Sequence, residues 1–409
     1  MTLLQTAQTA KSASTRLLAL SETDRQRALQ SIAHQLRQNL KRILSENQRD
    51  LTTNTQLGEA LKNRLTLTNE SIEAMARALE SIAAAPQVVG QIVSETRRPD
   101  GLLIQKQRIP IGVIAMIFES RPNVVVDGAA LAIKSGNAII LKGGKEAQHS
   151  NRILFDLIQT ATKDLLPAGS ITLVETREDV DELLKLNAYV DLVVPRGGEA
   201  LIRHVRQHAT MPVVAHDRGL CHIYVHHDAR PEYVKRIVLN AKTQRPGVCN
   251  AMETLLVHRD FSRELLAELL RELTEKGVVI HACENSQGLV PGLLHATAED
   301  WNTEWLSLAM NLKLVASSAE ALAHIQRYGS HHTEAVVTED PRLVEEFLNH
   351  IDASCLAINA STRFNDGGEL GLGAELGIST SKLHAYGPMG AQEMTTTRFV
   401  VTGTGHTRN

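Results

Sequence analysis

An α/β architecture built on two doubly wound sheets is the fold class this sequence predicts. From residue 109 onward, short apolar runs alternate with segments whose apolar residues recur at helical spacing. The first of these runs, residues 112–118 (Gly-Val-Ile-Ala-Met-Ile-Phe), is apolar throughout, as in a parallel strand covered on both faces. A third feature adds an arm. Residues 102–108 alternate apolar and polar after the Arg-Pro-Asp-Gly turn that ends at Gly101, which predicts an exposed β-hairpin over residues 94–108.

Taken in order, residues 3–97 begin with helices. Leu17, Leu18, Leu20, Ala28, Ile32, Leu36 and Leu40 recur at helical intervals, and Ser21 ahead of Glu22 and Asp24 reads as an N-cap followed by acids. A further helix is expected over residues 69–84. The first α/β region then reads as strand 112–118, helix 124–134, strand 138–141, helix 150–162, strand 171–174, strand 190–194 and helix 198–208. Short strands at 213–215 and 223–225 complete it. After residue 249 the alternation resumes. Strands are expected at 254–257, 278–281, 335–338 and 355–359, with helices at 263–276, 319–327 and 342–350. Residues 367–377 are glycine-rich and read as a loop, and residues 396–401 as a terminal strand.

Composition narrows the function. A chain of 409 residues accommodates two or three domains. Its net charge of -3 gives no bulk attraction to nucleic acid or acidic lipid, and an aromatic fraction of 3% argues against base-stacking platforms. Four cysteines with no Cys-x-x-Cys pair make no disulfide framework. No apolar run is long enough to span a bilayer and residues 1–15 lack a signal-peptide pattern, so the expectation is a reduced, cytoplasmic chain.

The stretch Thr-Gln-Arg-Pro-Gly-Val-Cys-Asn-Ala-Met-Glu, residues 243–253, carries the most chemistry. Cys249 follows an Arg-Pro-Gly turn and precedes what reads as a helix start. There, helix N–H groups and the Arg245 cation lower a thiol's pKa and make it a nucleophile. No Gly-x-Gly-x-x-Gly follows the first strand, so a dinucleotide is held differently from the common fingerprint. The strand at 138–141 runs into Lys142-Gly-Gly-Lys145 instead. In a dinucleotide fold that strand end faces the adenosine ribose, where cations suit a 2′-phosphate and hence NADP. Val194-Pro-Arg196-Gly197-Gly198 is a second strand-turn-helix junction, read as an anion site made of exposed N–H groups. Glu119-Ser-Arg121-Pro-Asn123 closes the first strand. Arg121 there is a candidate for holding phosphate or carboxylate, and Asn123 for donating to an oxyanion. The pairs His331-His332 and His226-His227 lack metal-ligand spacing, so no metal is expected.

These motifs together resemble the γ-glutamyl phosphate reductase (glutamate-5-semialdehyde dehydrogenase) family, a branch of the aldehyde dehydrogenase superfamily. The resemblance covers nearly the whole chain. It rests on Ile109-Pro-Ile-Gly-Val-Ile114, Phe118-Glu-Ser-Arg-Pro-Asn123 and Lys134-Ser-Gly-Asn-Ala-Ile-Ile-Leu-Lys-Gly-Gly-Lys145. It continues through Val194-Pro-Arg-Gly-Gly198, residues 244–256 around Cys249, Gly329-Ser-His-His-Thr-Glu334, Asn359-Ala-Ser-Thr-Arg-Phe364 and Gly371-Leu-Gly-Ala-Glu375. It implies an aldehyde dehydrogenase-like fold with an NADP-binding domain at 1–240 (segment 360–387 returning to it), a catalytic domain at 241–359, and an oligomerisation arm from 94–108 and 388–409. It implies reduction of L-glutamyl 5-phosphate by NADPH through a thioester on Cys249, the second step of proline biosynthesis. Lys142, Gly143 and Lys145, with Arg196, Gly197 and Gly198, are then expected at the cofactor, and Glu304 at its nicotinamide ribose. Arg121 and Arg245 are expected at the substrate, and Asn123 with the Cys249 N–H at the oxyanion. A homo-oligomer is implied too. Handover of the acyl phosphate from glutamate 5-kinase stays open.

Two departures stand out. Hydrolytic aldehyde dehydrogenases carry a glutamate base in a segment that here reads His216-Asp-Arg-Gly-Leu220, without a glutamate. Near the C-terminus, Tyr386 replaces the arginine the family usually has in His384-Ala-Tyr386-Gly-Pro-Met-Gly390. Two other classes of function compete with the reductase. A cysteine hydrolase leaves Lys142 and Lys145 unexplained, and a non-catalytic relative leaves Cys249 and Glu304 unexplained.

Overall fold

In the computed structural model, residues 2–408 are described apart from Arg177, His216 and Asp217. The chain divides into two compact units. One comprises Met1–Ala215, Gly371–Gly377 and Leu383–Asn409, and the other His216–Leu370 and Ile378–Lys382.

The first unit opens with five helices: α1 (Leu3–Leu17), α2 (Glu22–Gln38), α3 (Leu40–Thr53), α4 (Glu59–Leu65) and α5 (Asn69–Ala84). Their starts follow from capping chemistry. Thr2 and Gln5 form a reciprocal capping box on α1, Ser21 accepts the Asp24 N–H on α2, and Thr68 with Ser71 caps α5. The hairpin follows as β1 (Ile92–Arg97) and β2 (Leu103–Pro110), paired antiparallel, and the C-terminal strand Thr395–Thr402 pairs with the other edge of β2. Every residue of β1 is exposed. Phe399 and Val401 are exposed by 71% and 58%, so the arm presents large apolar side chains to its surroundings.

The α/β part contains β3 (Val113–Phe118), α6 (Asn123–Ser135), β4 (Ala138–Lys142), α7 (Gln148–Thr162) and β5 (Ile171–Val174). Next come α8 (Glu178–Leu183), β6 (Leu192–Arg196) and α9 (Glu199–His208). The strands form a parallel sheet in the order β5-β4-β3-β6, so the winding reverses between β3 and β6. Ligands of such sheets bind beyond the strand C-termini at that reversal. α6 lies almost wholly buried. A Cβ on its Gly128 would stand 3.2–3.3 Å from Leu141, Ile139 and Met116, so a glycine lets α6 lie close on the sheet. The start of α7 is fixed from outside. The buried Asp50 carboxylate of α3 accepts the His149 and Ser150 N–H groups at 3.0 and 2.8 Å and the Ser150 hydroxyl at 2.6 Å.

The second unit contains β7 (Cys221–Val225), α10 (Pro231–Thr243), β8 (Met252–His258), α11 (Arg263–Glu275), β9 (Val279–Ala282) and β10 (Leu294–His295). It continues with β11 (Ala309–Val315), α12 (Ser318–Tyr328), β12 (Thr333–Val337), α13 (Pro341–His350) and β13 (Cys355–Ile358). Seven parallel strands run in the order β10-β9-β11-β8-β7-β12-β13. Alternation along the strands separates the two faces. Ile223 and Val225 pack with α10 and α11, while Tyr224 packs with α12 and α13.

The division differs from the expected one. Strand 223–225 was assigned to the first region and the boundary to residue 240, whereas β7 hydrogen-bonds to β8 and β12 in the second sheet and the division falls after Ala215. Pairing partners decide membership of a sheet, and a strand's own residues do not name them. Residues 213–215 make a single bridge, Val193 to Val213. Several elements went unpredicted, β11 and α10 among them. β11 carries Asn311 and Lys313 in a strand that the tertiary structure covers, and Asn311 is buried by donating to the Asp300 carbonyl at 2.8 Å. α10 had a start signal in Pro231 at its first turn.

Candidate active site

The residues singled out from sequence fall into two sets, one in each unit. In the first unit they gather at the C-terminal ends of β3, β4 and β6, where the sheet winding reverses. Lys142 ends β4, is buried, and donates from Nζ to the Gly143 carbonyl at 2.6 Å. Gly143 packs so closely on Asn151 that a Cβ would stand 2.1 Å from Nδ2. Lys145 is exposed beside it. A narrow crevice runs between Gly143-Gly144-Lys145 and Val174-Glu175.

Two neighbouring turns differ from expectation. The Gly198 N–H at the start of α9 is taken by Glu119 Oε2 at 2.8 Å, and Arg196 pairs with Glu375 at 3.4 Å. The chain's own carboxylates thus occupy the charges and donors that read as an anion site. Ser120, at φ 44, turns its N–H and hydroxyl onto Glu146 Oε1 at 2.6 and 2.8 Å. Asn123 is the first residue of α6 and donates from Nδ2 to Asp127 Oδ2 at 2.8 Å, which fixes the amide's orientation. Asp127 keeps some contact with solvent, yet dense packing around it pushes its carboxyl up to about 6, against the Asn123 hydrogen bond and the Arg196 charge. Arg121 is half-buried on the turn between β3 and α6.

In the second unit, Cys249 lies in the turn between α10 and β8, partly accessible. The expected helix start is absent from this turn: the chain after Cys249 enters β8 at Met252. Helix N–H groups therefore do not act on this thiol. Arg363 is a cation whose charge interacts with Cys249, and it also feels the Arg245 charge. Arg363, in the 3₁₀ turn Thr362–Phe364, donates from Nε to Gln244 Oε1 at 2.8 Å. Burial lowers its guanidinium's pKa, and the charges of Asp366 and Cys249 act in the opposite direction. The family motif at 359–364 held this residue, but nothing in its spacing tied it to residue 249.

Cys249 is held by its backbone. A Cβ on Gly219 would stand 1.9 Å from the Cys249 carbonyl oxygen, so residue 219 has to be glycine for the loop to approach. The Gly219 N–H donates to Glu304 Oε1 at 2.8 Å, which places Glu304 beside the same loop. Below, the buried Cys221 donates its S–H to the Cys249 carbonyl at 3.1 Å. Burial, then the Glu334 charge, push the Cys221 thiol well up, so it stays protonated and supports its neighbour as a donor. Asn250 is buried and donates to the Asn365 carbonyl at 3.0 Å. Of the other cysteines, Cys355 lies in β13, where burial raises its thiol, and Cys283 follows β9. In the glutamate-free segment 216–220, His216 and Asp217 lie outside the described residues.

The histidine pairs build no metal centre. His331 is exposed at φ 60 outside the strand, His332 is buried, and no metal-binding group of side chains occurs among the described residues. Nor is any helix among them long and apolar enough to cross a membrane.

Comparison with known proteins shows the family. The aldehyde dehydrogenase family model matches residues 2–306. A gamma-glutamyl phosphate reductase of Carboxydothermus hydrogenoformans is 47% identical over 410 residues, covering 99% of each chain. The chain belongs to the gamma-glutamyl phosphate reductases of the aldehyde dehydrogenase family. The crystal structure of the Thermotoga maritima gamma-glutamyl phosphate reductase is 40% identical and superposes with a TM-score of 0.95 over 100% of both chains. The wider fold reaches an engineered glycolyl-CoA reductase solved with bound NADP+, at 17% identity and a TM-score of 0.71 over 98% of this chain and 96% of that one.

Two consequences follow for this reductase. Gly219→Ala pushes the Cys249 carbonyl aside, and kcat is expected to fall about a hundredfold, as for an ångström-scale misplacement of a reacting group. The check is steady-state kinetics beside a thermal melt showing a folded protein. The raised Asp127 carboxyl favours the neutral form in the folded state. Its contribution to stability is therefore complete below about pH 4 and lost as pH rises through 6. Asp127→Asn, which mimics the neutral form, is expected to be more stable than the native chain by on the order of 1 kcal/mol at pH 7.5, given the group's partial solvent contact, and equal to it near pH 4. Urea midpoints at both values measure this.

Proposed function

We propose that the turn carrying Cys249 and the loop packed on it are the catalytic centre of an NADP-dependent glutamate-5-semialdehyde dehydrogenase. The chain reduces L-glutamyl 5-phosphate to L-glutamate 5-semialdehyde and phosphate, the second step of proline biosynthesis. The observation that carries the site assignment is the contact of Gly219 with Cys249. Gly219, which lies on the nucleophile, belongs to the stretch His216-Asp-Arg-Gly-Leu220 that resembles the segment where hydrolytic relatives carry a glutamate.

Cys249 acts as the nucleophile. Its thiolate, favoured by Arg245 and Arg363, bonds to the acyl carbon, and the C–O bond to phosphate breaks, leaving a thioester and inorganic phosphate. NADPH, when bound, supplies the hydride that the thioester carbon receives. Collapse of the resulting thiohemiacetal returns the electron pair to sulfur and frees the aldehyde. The segment His216-Asp-Arg-Gly-Leu220 lacks the glutamate with which hydrolytic relatives activate water, so the thioester is spared hydrolysis.

The residues at the end of β4 fit the cofactor. A buried cation, Lys142, and an exposed one, Lys145, flank a glycine turn, and the strand ends without the carboxylate that suits an unphosphorylated ribose. We assign Lys142, Gly143 and Lys145 to the adenosine ribose and its phosphate, and Glu304 to the nicotinamide ribose. Arg196, Gly197 and Gly198 border the cofactor at the end of β6. Asn123, oriented by Asp127, is a donor to substrate oxygen, and Arg121 and Arg245 are anion contacts for the substrate. The arm at 94–108 and 388–409, with its exposed Phe399 and Val401, is assigned to homo-oligomer formation, and the setting to the cytoplasm. Glutamate 5-kinase is the proposed source of the acyl phosphate.

The reverse reaction tests the assignment. NADP reduction with L-glutamate 5-semialdehyde is expected to require inorganic phosphate and to vanish in Cys249→Ser. Turnover without phosphate would instead indicate hydrolysis of the thioester.

A further inference from the structure

A buried ion pair lies behind the nucleophile turn, outside the reaction steps above. Lys242 of α10 and Glu253 of β8 are both almost fully buried, with Nζ 3.0 Å from Oε2. Such pairs are costly to desolvate, and an apolar pair of similar volume is often as stable. The other carboxylate oxygen has a different task. Glu253 Oε1 accepts the Leu306 N–H at 3.3 Å. Leu306 sits at φ 49, a conformation a branched side chain rarely adopts, so the hydrogen bond holds a strained turn in place. The Leu306 carbonyl approaches Gly247, lying 3.6 Å from where a Cβ on it would stand, in the same turn as Cys249. Two residues before Leu306, Glu304 accepts the Gly219 N–H, and Gly219 packs on the Cys249 carbonyl. The chain thus closes a ring: Cys249, β8 and Glu253, Leu306, Glu304, Gly219 and back to Cys249.

We propose that Glu253, held in place by Lys242, is a positioning residue: its hydrogen bond to Leu306 fixes the turn that presents Glu304 in register with Cys249. The cofactor consequence rests on the assignment of Glu304 to the nicotinamide ribose. The fixing of the turn does not.

The test removes the charges with and without the hydrogen-bond acceptor. Lys242→Met/Glu253→Leu deletes both charges and the acceptor, whereas Lys242→Met/Glu253→Gln deletes the charges and keeps an amide oxygen for Leu306. Amide hydrogen exchange of residues 303–308 and the KM for NADP in the phosphate-dependent assay are read on the full-length protein. The Leu variant is expected to exchange at least tenfold faster in that segment, with the KM for NADP raised about tenfold and more than kcat is lowered. The Gln variant is expected within threefold of native on both. Lys242→Met/Glu253→Met carries the same test if the Leu variant does not fold. Unchanged exchange in a folded acceptor-free variant overturns the proposal, as does a folded Gln variant as impaired as the Leu variant. Glu304→Gln separates the two readings. If it leaves the KM for NADP unchanged, the ribose assignment fails, and the exchange data alone decide the role of Glu253.

Discussion

The contact between Gly219 and the backbone of Cys249 is the constraint on which the arrangement of the Cys249 turn depends. Two chain segments meet there at a distance no side chain tolerates. Because the approach is backbone to backbone, it fixes the path of the main chain at Cys249, from which the thiol projects. Each segment is then tied once more. The Gly219 N–H reaches Glu304, and the Cys249 carbonyl accepts from Cys221.

The electrostatics of this turn differ from those of a thiol at a helix N-terminus. Charge near Cys249 comes from Arg363, while the helix preceding it, α10, ends at Thr243. Cys221 lies directly beneath the same carbonyl, yet burial and the Glu334 charge keep its proton on sulfur. Exposure and local charge thus set the two nearby cysteines apart.

In the first unit, the C-terminal sheet edge is organised by internal carboxylates. Glu119 fills the Gly198 N–H, Glu146 fills that of Ser120, and Glu375 pairs with Arg196. Donors that a glycine-rich junction offers to any anion are satisfied within the fold, which leaves Lys142 and Lys145 as the cations at the end of β4. N–H groups without partners are costly, so the chain supplies its own acceptors at these turns.

Sequence alone determined the local elements. The apolar run of β3, the Ser21 cap of α2 and the strand Ile171–Val174 follow from periodicity and capping, which act between residues close in the chain. The long motifs around Cys249, Lys142 and Asn123 determined the family, because several of them occur in order. Tertiary structure alone decided which sheet β7 joins, that a strand and no helix follows Cys249, and that Glu119 spends the Gly198 N–H. It also brought Arg363 to a cysteine more than a hundred residues earlier and buried Asn311 in a strand that reads as partly polar. All of these depend on partners distant in sequence, and hydrogen bonds or charges across such separations leave no mark in local spacing.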